Sequence, residues 1–345
     1  MIRPTYELTC APRQPSERAL VAHVSALYYL EGRTQEDIAR QLCLSRAKVS
    51  RLLCAAREAG MVRIFVRPPP GTFLGLETEI EARFGAREVR IVPSSCDDAP
   101  ETVRRRLGAA AAMDLLRSAK SGETIGLAGR ELLAPMVDAA TPKVAAGLRV
   151  VQGVGWEHGS IPGRALVDLV LDLARRIEGT AVVLPAPSVV DSEHVRSSLE
   201  VDPQISEVLH ALDDLDTLYT EITPAASIAR PTREGPTPVG RLALRHFDCQ
   251  GQMLGTAADG HVVGLTIEQL KRAQHVVALA HGPTHAHVIA AALRTRLVGT
   301  LITDELTARA VAALPTSRAE PFAIAGARMK VDHRLMSGEK HDDDA

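Results

Sequence analysis

Between Thr34 and Met61 apolar residues recur every three or four positions in two short runs with a break between them. Ile38, Ala39 and Leu42 form the first run, Val49, Leu52 and Leu53 the second, and Leu44 falls in the break. That period predicts two amphipathic helices joined by a tight turn. Thr34, with Asp37 three residues on, and Ser45 stand where N-caps belong. Gly60 stands where a second helix running to about Ala59 would end in the left-handed conformation. Ala39 is small enough for a steep helix crossing. Cys43 takes the turn position where such a motif commonly has Gly. Upstream, Ser16 to Glu31 predicts a further helix with Leu20, Val24, Leu27, Tyr28 and, at its end, Leu30 facing inward. Downstream, Val62, Ile64 and Val66 alternate with Arg63, Phe65 and Arg67, the period of a short strand.

Pro68-Pro69-Pro70-Gly71 is the clearest break in the chain, a stiff extended spacer. Past it the pattern changes. Helical stretches at 76–84 (closed by Gly85), 101–117, 130–140, 165–177, 285–296 and 305–314 alternate with strand-like runs at 88–92, 123–128, 148–152, 180–184, 216–222, 275–280 and 300–304. In the helix 101–117 the predicted inner face is Val103, Leu107, Ala110, Met113 and Leu116. Such alternation predicts an α/β domain with a largely parallel sheet, and the continuous apolar runs suit strands buried on both faces.

Length and charge sharpen this division. The 345 residues fit two domains. The net charge of −2 is uninformative, but its distribution is not: residues 1–67 hold 11 Lys/Arg against 6 Asp/Glu, leaving 29 against 36 for the rest. A basic head on an acidic body concentrates attraction for phosphate at one end. No apolar run is long enough for a membrane span, and the N-terminal stretch lacks a signal peptide's apolar core, so a cytoplasmic protein without a membrane partner is expected. Five scattered cysteines without a CxxC pair predict neither disulfides nor zinc.

The candidate chemistry lies at two places. The outer face of the second helix shows Arg46, Ala47, Lys48, Ser50 and Arg51, a surface suited to the DNA major groove. Thr34, Gln35, Ser45 and Arg63 are placed to contact the phosphate backbone. An ordinary helical hairpin with a solvated basic face is the plainer alternative. In the body, ligands of parallel sheets bind beyond the strands' carboxyl ends. Four loops stand there: Ala128-Gly129-Arg130-Glu131, Gln152-Gly153-Val154-Gly155, Pro185-Ala186-Pro187-Ser188 and His281-Gly282-Pro283-Thr284-His285. Gly129 can let backbone amides reach a ligand, Arg130 can offer a guanidinium fork, and His285 can donate to a phosphate or hydroxyl. Each glycine is equally explained as turn chemistry. No P-loop and no GxGxxG after a strand is present, which disfavours nucleotides. Pro283 keeps His281 off the helical face of His285 and His287, so no metal site is expected. Asp248, Asp304 and Glu221 are candidate bases by type, but no catalytic constellation follows from spacing, and Asp304 fits a helix N-cap better.

Residues 16–315 resemble the SorC family of sugar-responsive bacterial transcriptional regulators. The head segment ALYYLEGRTQEDIARQLCLSRAKVSRLLCAAREAGMVRI follows that family's pattern nearly throughout. In the body LETEIEARFGAREVRIV, GETIGLAGRELL, LPAPSVVDSEHVRSSL, VGRLALRHFDCQG and VVALAHGPTHAHVIAAALRTRLVGTLITDELTARAVA match it. The resemblance implies a winged helix-turn-helix head at 16–67, a linker at 68–75 and, at 76–332, a Rossmann-like α/β effector domain. That domain would have the fold of ribose-phosphate isomerases and glucosamine-phosphate deaminases, used for sensing and not catalysis, with no cofactor. Tails at 1–15 (disordered) and 333–345 (acidic, solvated) flank it. The implied partners are double-stranded operator DNA, a sugar, polyol or phosphosugar effector, and further copies in a homodimer or homotetramer. The implied effector contacts are Gly129, Arg130, Glu131, Gln152, Gly153, Pro187, Glu221, Asp248, Gly282 and His285. Three departures bear on the ligand. His285 replaces a family Lys expected to meet phosphate, Glu221-Ile222-Thr223 stands for Gly-Ile-Gly, and Arg241 replaces the acid of VGD. They favour a neutral sugar or polyol, with a phosphosugar second. The competing classes are a sugar-phosphate isomerase or deaminase with an accessory head, and a head that binds protein.

Overall fold

The structure is a computed structural model describing residues 17–62, 72–142, 145–156, 165–225 and 236–315. It divides into two compact units, Met1–Pro68 and Pro69–Ala345. Arg63 and the strand expected after Val62 lie outside the described residues. So do the tail 1–15, the first part of the spacer and the acidic tail.

The first unit is three helices: α1 (Glu17–Tyr29), α2 (Gln35–Gln41) and α3 (Arg46–Glu58). Their inward faces meet in one cluster of Val21, Val24, Leu27, Ile38, Ala39, Val49, Leu52, Leu53 and Ala56. Leu30 departs from expectation. It follows the end of α1 and is 84% exposed. The helical phase that brings Leu27 inward is lost there, ahead of Gly32 at φ +68°.

The second unit opens with α4 (Leu74–Phe84), which starts two residues before its expected Leu76 and stops at left-handed Gly85. There follow β1 (Glu88–Val92), α5 (Pro100–Ser118), β2 (Thr124–Ala128), α6 (Leu133–Ala139), β3 (Arg149–Gln152), α7 (Leu166–Arg176) and β4 (Thr180–Val182). Then come α8 (Glu193–Glu200), α9 (Pro203–Ala211), β5 (Thr217–Pro224), β6 (Gly240–Leu242) and β7 (Arg245–Phe247). The chain continues through α10 (Ile267–Arg272), β8 (His275–Leu279), α11 (Ala286–Arg294), β9 (Thr300–Asp304) and α12 (Glu305–Ala312). Seven strands pair in parallel in the order β1-β9-β8-β5-β2-β3-β4. β2 and β9 are buried along their whole length, as their apolar runs require.

Sequence patterning missed the antiparallel hairpin β6–β7, which extends β5 beyond the parallel sheet through the pair Ile222–Leu242. Its turn is made by Ala243 and Leu244, both left-handed (φ 47° and 65°). Tight hairpin turns with two such residues ordinarily announce themselves by Asn-Gly or Asp-Gly. The inner face of α5 also differs. Leu107, Gly108, Ala111, Ala112 and Leu115 are buried with Val103, whereas Met113 is 63% exposed and Ala110 and Leu116 are only partly covered. In an Ala-rich helix the apolar residues run nearly all round, so periodicity does not single out a face.

Gly108 has a specific reason to be in mid-helix. A Cβ there would lie 2.4 Å from the Pro135 carbonyl carbon and 2.5 Å from the Met136 nitrogen, so α5 and α6 touch backbone to backbone. Gly108→Ala gains roughly 1 kcal/mol of helix propensity yet forces the helices apart. Urea denaturation is expected to show a net loss of about 1–3 kcal/mol; equal or higher stability would mean the contact is not needed.

Candidate functional site

The head's local chemistry follows from its caps. Thr34 Oγ1 accepts the Asp37 amide at 3.2 Å and starts α2. Ser45 Oγ accepts the Lys48 amide at 3.2 Å and starts α3. Between them Cys43 sits at φ +52°, where a β-carbon is strained, while the Leu44 amide bonds to the Ala39 carbonyl at 2.9 Å. Thr34, Ser45, Arg46, Ala47, Lys48, Ser50 and Arg51 are exposed and Gln35 is partly so. Val49, Leu52 and Leu53 turn inward, so one face of α3 is basic and open.

In the second unit the connections β2-β3-β4 run one way across the sheet and β5-β8-β9 run the other. The order therefore reverses between β2 and β5, and the crevice beyond their carboxyl ends is where ligands bind in open α/β sheets. Gly129, Arg130 and Glu221 meet there. Glu221 Oε1 accepts the amides of Leu132 at 2.8 Å and Leu133 at 3.3 Å, and the Arg130 amide also bonds to this carboxylate. Burial raises the Glu221 pKa above the ordinary carboxylate value. The three amides pull it down and the neighbouring Glu131 charge pushes it up. Glu131 itself is exposed and pairs with Arg104 at 2.9 Å.

The other predicted residues have structural partners of their own. Gln152 is fully buried. Its Nε2 donates to the Val154 carbonyl at 2.9 Å and its Oε1 accepts from the Leu184 amide at 3.2 Å, tying the loops after β3 and β4. Gly153 donates to the Leu127 carbonyl and accepts from the Leu265 amide, both at 2.8 Å. Pro187 bridges Trp156. Asp248 Oδ1 accepts the amides of Gln250 and Gln252 at 2.9 and 2.8 Å and builds its own turn. Gly282, at φ +104°, donates to Thr307 Oγ1 at 2.8 Å. His285 is exposed in the turn before α11. Asp304 caps α12 by accepting the Thr307 amide at 3.2 Å, and takes a second bond from Ser94 Oγ at 2.8 Å.

Arg245 was not legible in the sequence. It is buried, donates from Nε to the Leu265 carbonyl at 2.6 Å and from Nη1 to the Asp259 carbonyl at 2.8 Å. It thereby ties segment 259–265 to β7, while backbone bonds join that segment to the loops after β3 and β4. Nothing in the alternation of LRHF marks that arginine as internal.

A polar cleft of about 460 Å³ lies instead at the strands' amino-terminal ends, beside Glu88, Asp114, Arg117, Thr217 and His275. Within it Arg117 pairs with both Glu88 and Asp114, and Asp114 also accepts the hydroxyl of Tyr219 at 2.8 Å. We place the candidate site at the β2–β5 reversal, where the topology opens the sheet.

The family model described as "Putative sugar-binding domain" matches residues 69–313. Transcriptional regulator LsrR of Klebsiella pneumoniae subsp. pneumoniae is 30% identical over 314 residues, covering 87% of this chain and 94% of the relative. LsrR of Enterobacter sp. (strain 638) is 29% identical over 317 residues, covering 87% and 94%. The chain belongs to the SorC family of sugar-binding transcriptional regulators. The full-length sorbitol operon regulator SorC of Klebsiella pneumoniae superposes with a TM-score of 0.65, covering 87% of this chain and all of that one at 22% identity. The SorC-family fold thus accounts for both units, the helical head and the parallel sheet.

Two outcomes follow from the site's local energetics. Cys43→Gly is expected to stabilise the protein by roughly 1 kcal/mol in chemical denaturation, because glycine takes a left-handed position without strain; a loss would show that the Cys43 side chain contributes more than the strain costs. For Glu221 the raised folded-state pKa means that the native state holds a proton more readily than the unfolded chain. Stability from this group is therefore complete below the unfolded value and falls as pH rises through the folded one. Glu221→Gln removes that penalty, so the variant's melting temperature relative to wild type should climb from about pH 4 toward neutrality. A difference independent of pH would contradict the assignment.

Proposed function

We propose that this chain binds operator DNA through α3 and changes its grip when a sugar, polyol or phosphosugar enters the crevice between β2 and β5. The observation that carries this reading is the exposed face of α3, where Arg46, Ala47, Lys48, Ser50 and Arg51 stand free of the head's core behind the Ser45 cap. A helix with that face can place guanidinium and ammonium groups at guanine edges and phosphates. On this reading residues 16–67 form the winged head with Arg63 on the backbone, 68–75 the linker and 76–332 the effector domain. The protein acts in the cytoplasm as a homodimer or homotetramer, since two heads one helical turn apart multiply the few base contacts of one. Gly129, Arg130, Glu131, Gln152, Gly153, Pro187, Glu221, Asp248, Gly282 and His285 are the proposed effector surroundings. Gln152, Gly153, Asp248 and Gly282 shape the loops more than they reach into the crevice. The mechanism is linkage: an effector that binds one arrangement of the heads better shifts the population toward it.

The chain acts as a sensor and not as an enzyme. Glu221, Asp248 and Asp304, the carboxylates that could serve as bases, each accept hydrogen bonds from backbone amides. Those bonds support a use other than base catalysis for them.

Fluorescence anisotropy of the intact protein on DNA from upstream of its own coding region, against an unrelated fragment at stated salt, tests the reading. Specific binding altered by one compound from a panel of sugars, polyols and their phosphates is the expected result. Arg46→Ala, Lys48→Ala and Arg51→Ala should each weaken binding. A base reader loses about 1–3 kcal/mol and its discrimination, and a phosphate contact lowers affinity on all sequences and the salt slope by about 1. Unaltered affinity in all three variants would mean that α3 does not face DNA.

A further inference from the structure

The first loop of the crevice is shaped around a carboxylate of the chain itself. Glu221 lies within β5 at the last parallel pair with β8, beside Leu279, while its neighbour Thr220 pairs with Ala128 of β2. Its side chain lies so close to Gly129 that a Cβ there would come within 2.9 Å of Glu221 Cγ and Cδ. Gly129 adopts φ +148°, in the range that favours glycine, so both its conformation and its missing side chain admit the carboxylate. The amides of Leu132 and Leu133 that bond to Oε1 are the donors an anionic ligand would need at this loop. They are taken. A second negative charge placed beside Glu221 would meet like-charge repulsion.

A plainer role would be that of a strut, like the turn-building Asp248. The two differ in charge balance. Where a carboxylate serves as a strut at an exposed cap, its hydrogen bonds hold its pKa down, as for Asp37 against Thr34. Burial outweighs the amides at Glu221 and holds its pKa up. The fold keeps a carboxylate where it is costly to keep one, and does so inside the crevice.

We infer that Glu221 determines the class of effector: an uncharged, hydroxyl-rich compound, with phosphate esters rejected at the β2 end of the crevice. The inference rests on the regulator reading above. A carboxylate is an acceptor with about four lone-pair sites, so after its amides it can still accept from a hydroxyl. Sugars and polyols offer such donors, and a phosphate dianion offers none.

The test uses the intact protein, Glu221→Gln and Glu221→Gly. Thermal shift at fixed ionic strength is read with inorganic phosphate, sulfate, and a panel of sugars and polyols paired with their phosphate esters. Wild type should give no saturable response to phosphate, sulfate or any ester. The variants should acquire one, tightening the response to an ester by about tenfold or more. A wild-type protein that binds an ester as well as its parent polyol overturns the inference, as do folded variants that respond like wild type. If neither variant folds, wild type titrated with sulfate at falling pH replaces them. Binding should appear as the Glu221 carboxyl protonates, and its absence overturns the inference. Loss of DNA binding in anisotropy is a separate readout and bears on the regulator reading alone.

Discussion

The pairing of β2 with β5 is the constraint on which the body depends. It joins two halves whose connections run in opposite directions, and among the described residues no other strand pair spans that reversal. The ladder is reinforced at both ends. Asp216 Oδ2 accepts the Thr124 amide at 2.8 Å where the strands start, and Thr220 Oγ1 donates to the Ala128 carbonyl at 2.7 Å where they finish. These bonds set the positions from which Gly129 and Glu221 approach each other. The loop after β2 then closes on the carboxylate, and α6 starts from that point, pressed against α5 at Gly108. The geometry of the crevice is thus inherited from one strand pair and one glycine contact.

What could be read in the sequence was what depends on neighbours along the chain. The caps at Thr34, Ser45 and Asp304 and the stop at Gly85 are local hydrogen-bond and backbone chemistry. The parallel strands are continuous apolar runs, and their loops fall on the side where ligands bind. The inner face of α5 was not legible, because alanine carries too little contrast to mark a face. The β6–β7 hairpin was hidden because Ala243-Leu244 is an unfavourable pair for its turn. For the site, position was legible but employment was not. Gln152, Asp248 and Glu221 were readable as polar residues at strand ends, yet whether each faces a ligand or a backbone group is decided by elements far away in sequence, such as Leu184 for Gln152. The buried Arg245 carried no signal at all, since its partners lie some twenty residues on.

The two units divide the physical work. The head is small and relies on two side-chain caps and a cluster of nine buried residues, with strain tolerated at Cys43. Its basic face costs little to display because the opposite face of α3 supplies the packing. The body is large enough to bury complete strands and to tolerate a carboxylate in a poorly solvated place. On the proposed reading, recognition sits on the exposed face of α3 and selectivity at the strand ends of the other unit, so either set of residues can change without altering the other.

The clamp around Arg245 has a mechanical consequence. Segment 261–265 is laced to the loops after β3 and β4 by the bonds of Gly155 to Val263 at 3.1 Å, Leu265 to Gly153 at 2.8 Å, Val263 to Ser188 at 2.9 Å and Val190 to His261 at 2.9 Å, with the guanidinium pinning its ends. Three stretches distant in sequence therefore behave as a single plate. Displacing any one of them breaks several bonds together, at about 1 kcal/mol net each. On the proposed reading this laced set borders the crevice on the β3 side, so an effector entering there meets three stretches that share their hydrogen bonds.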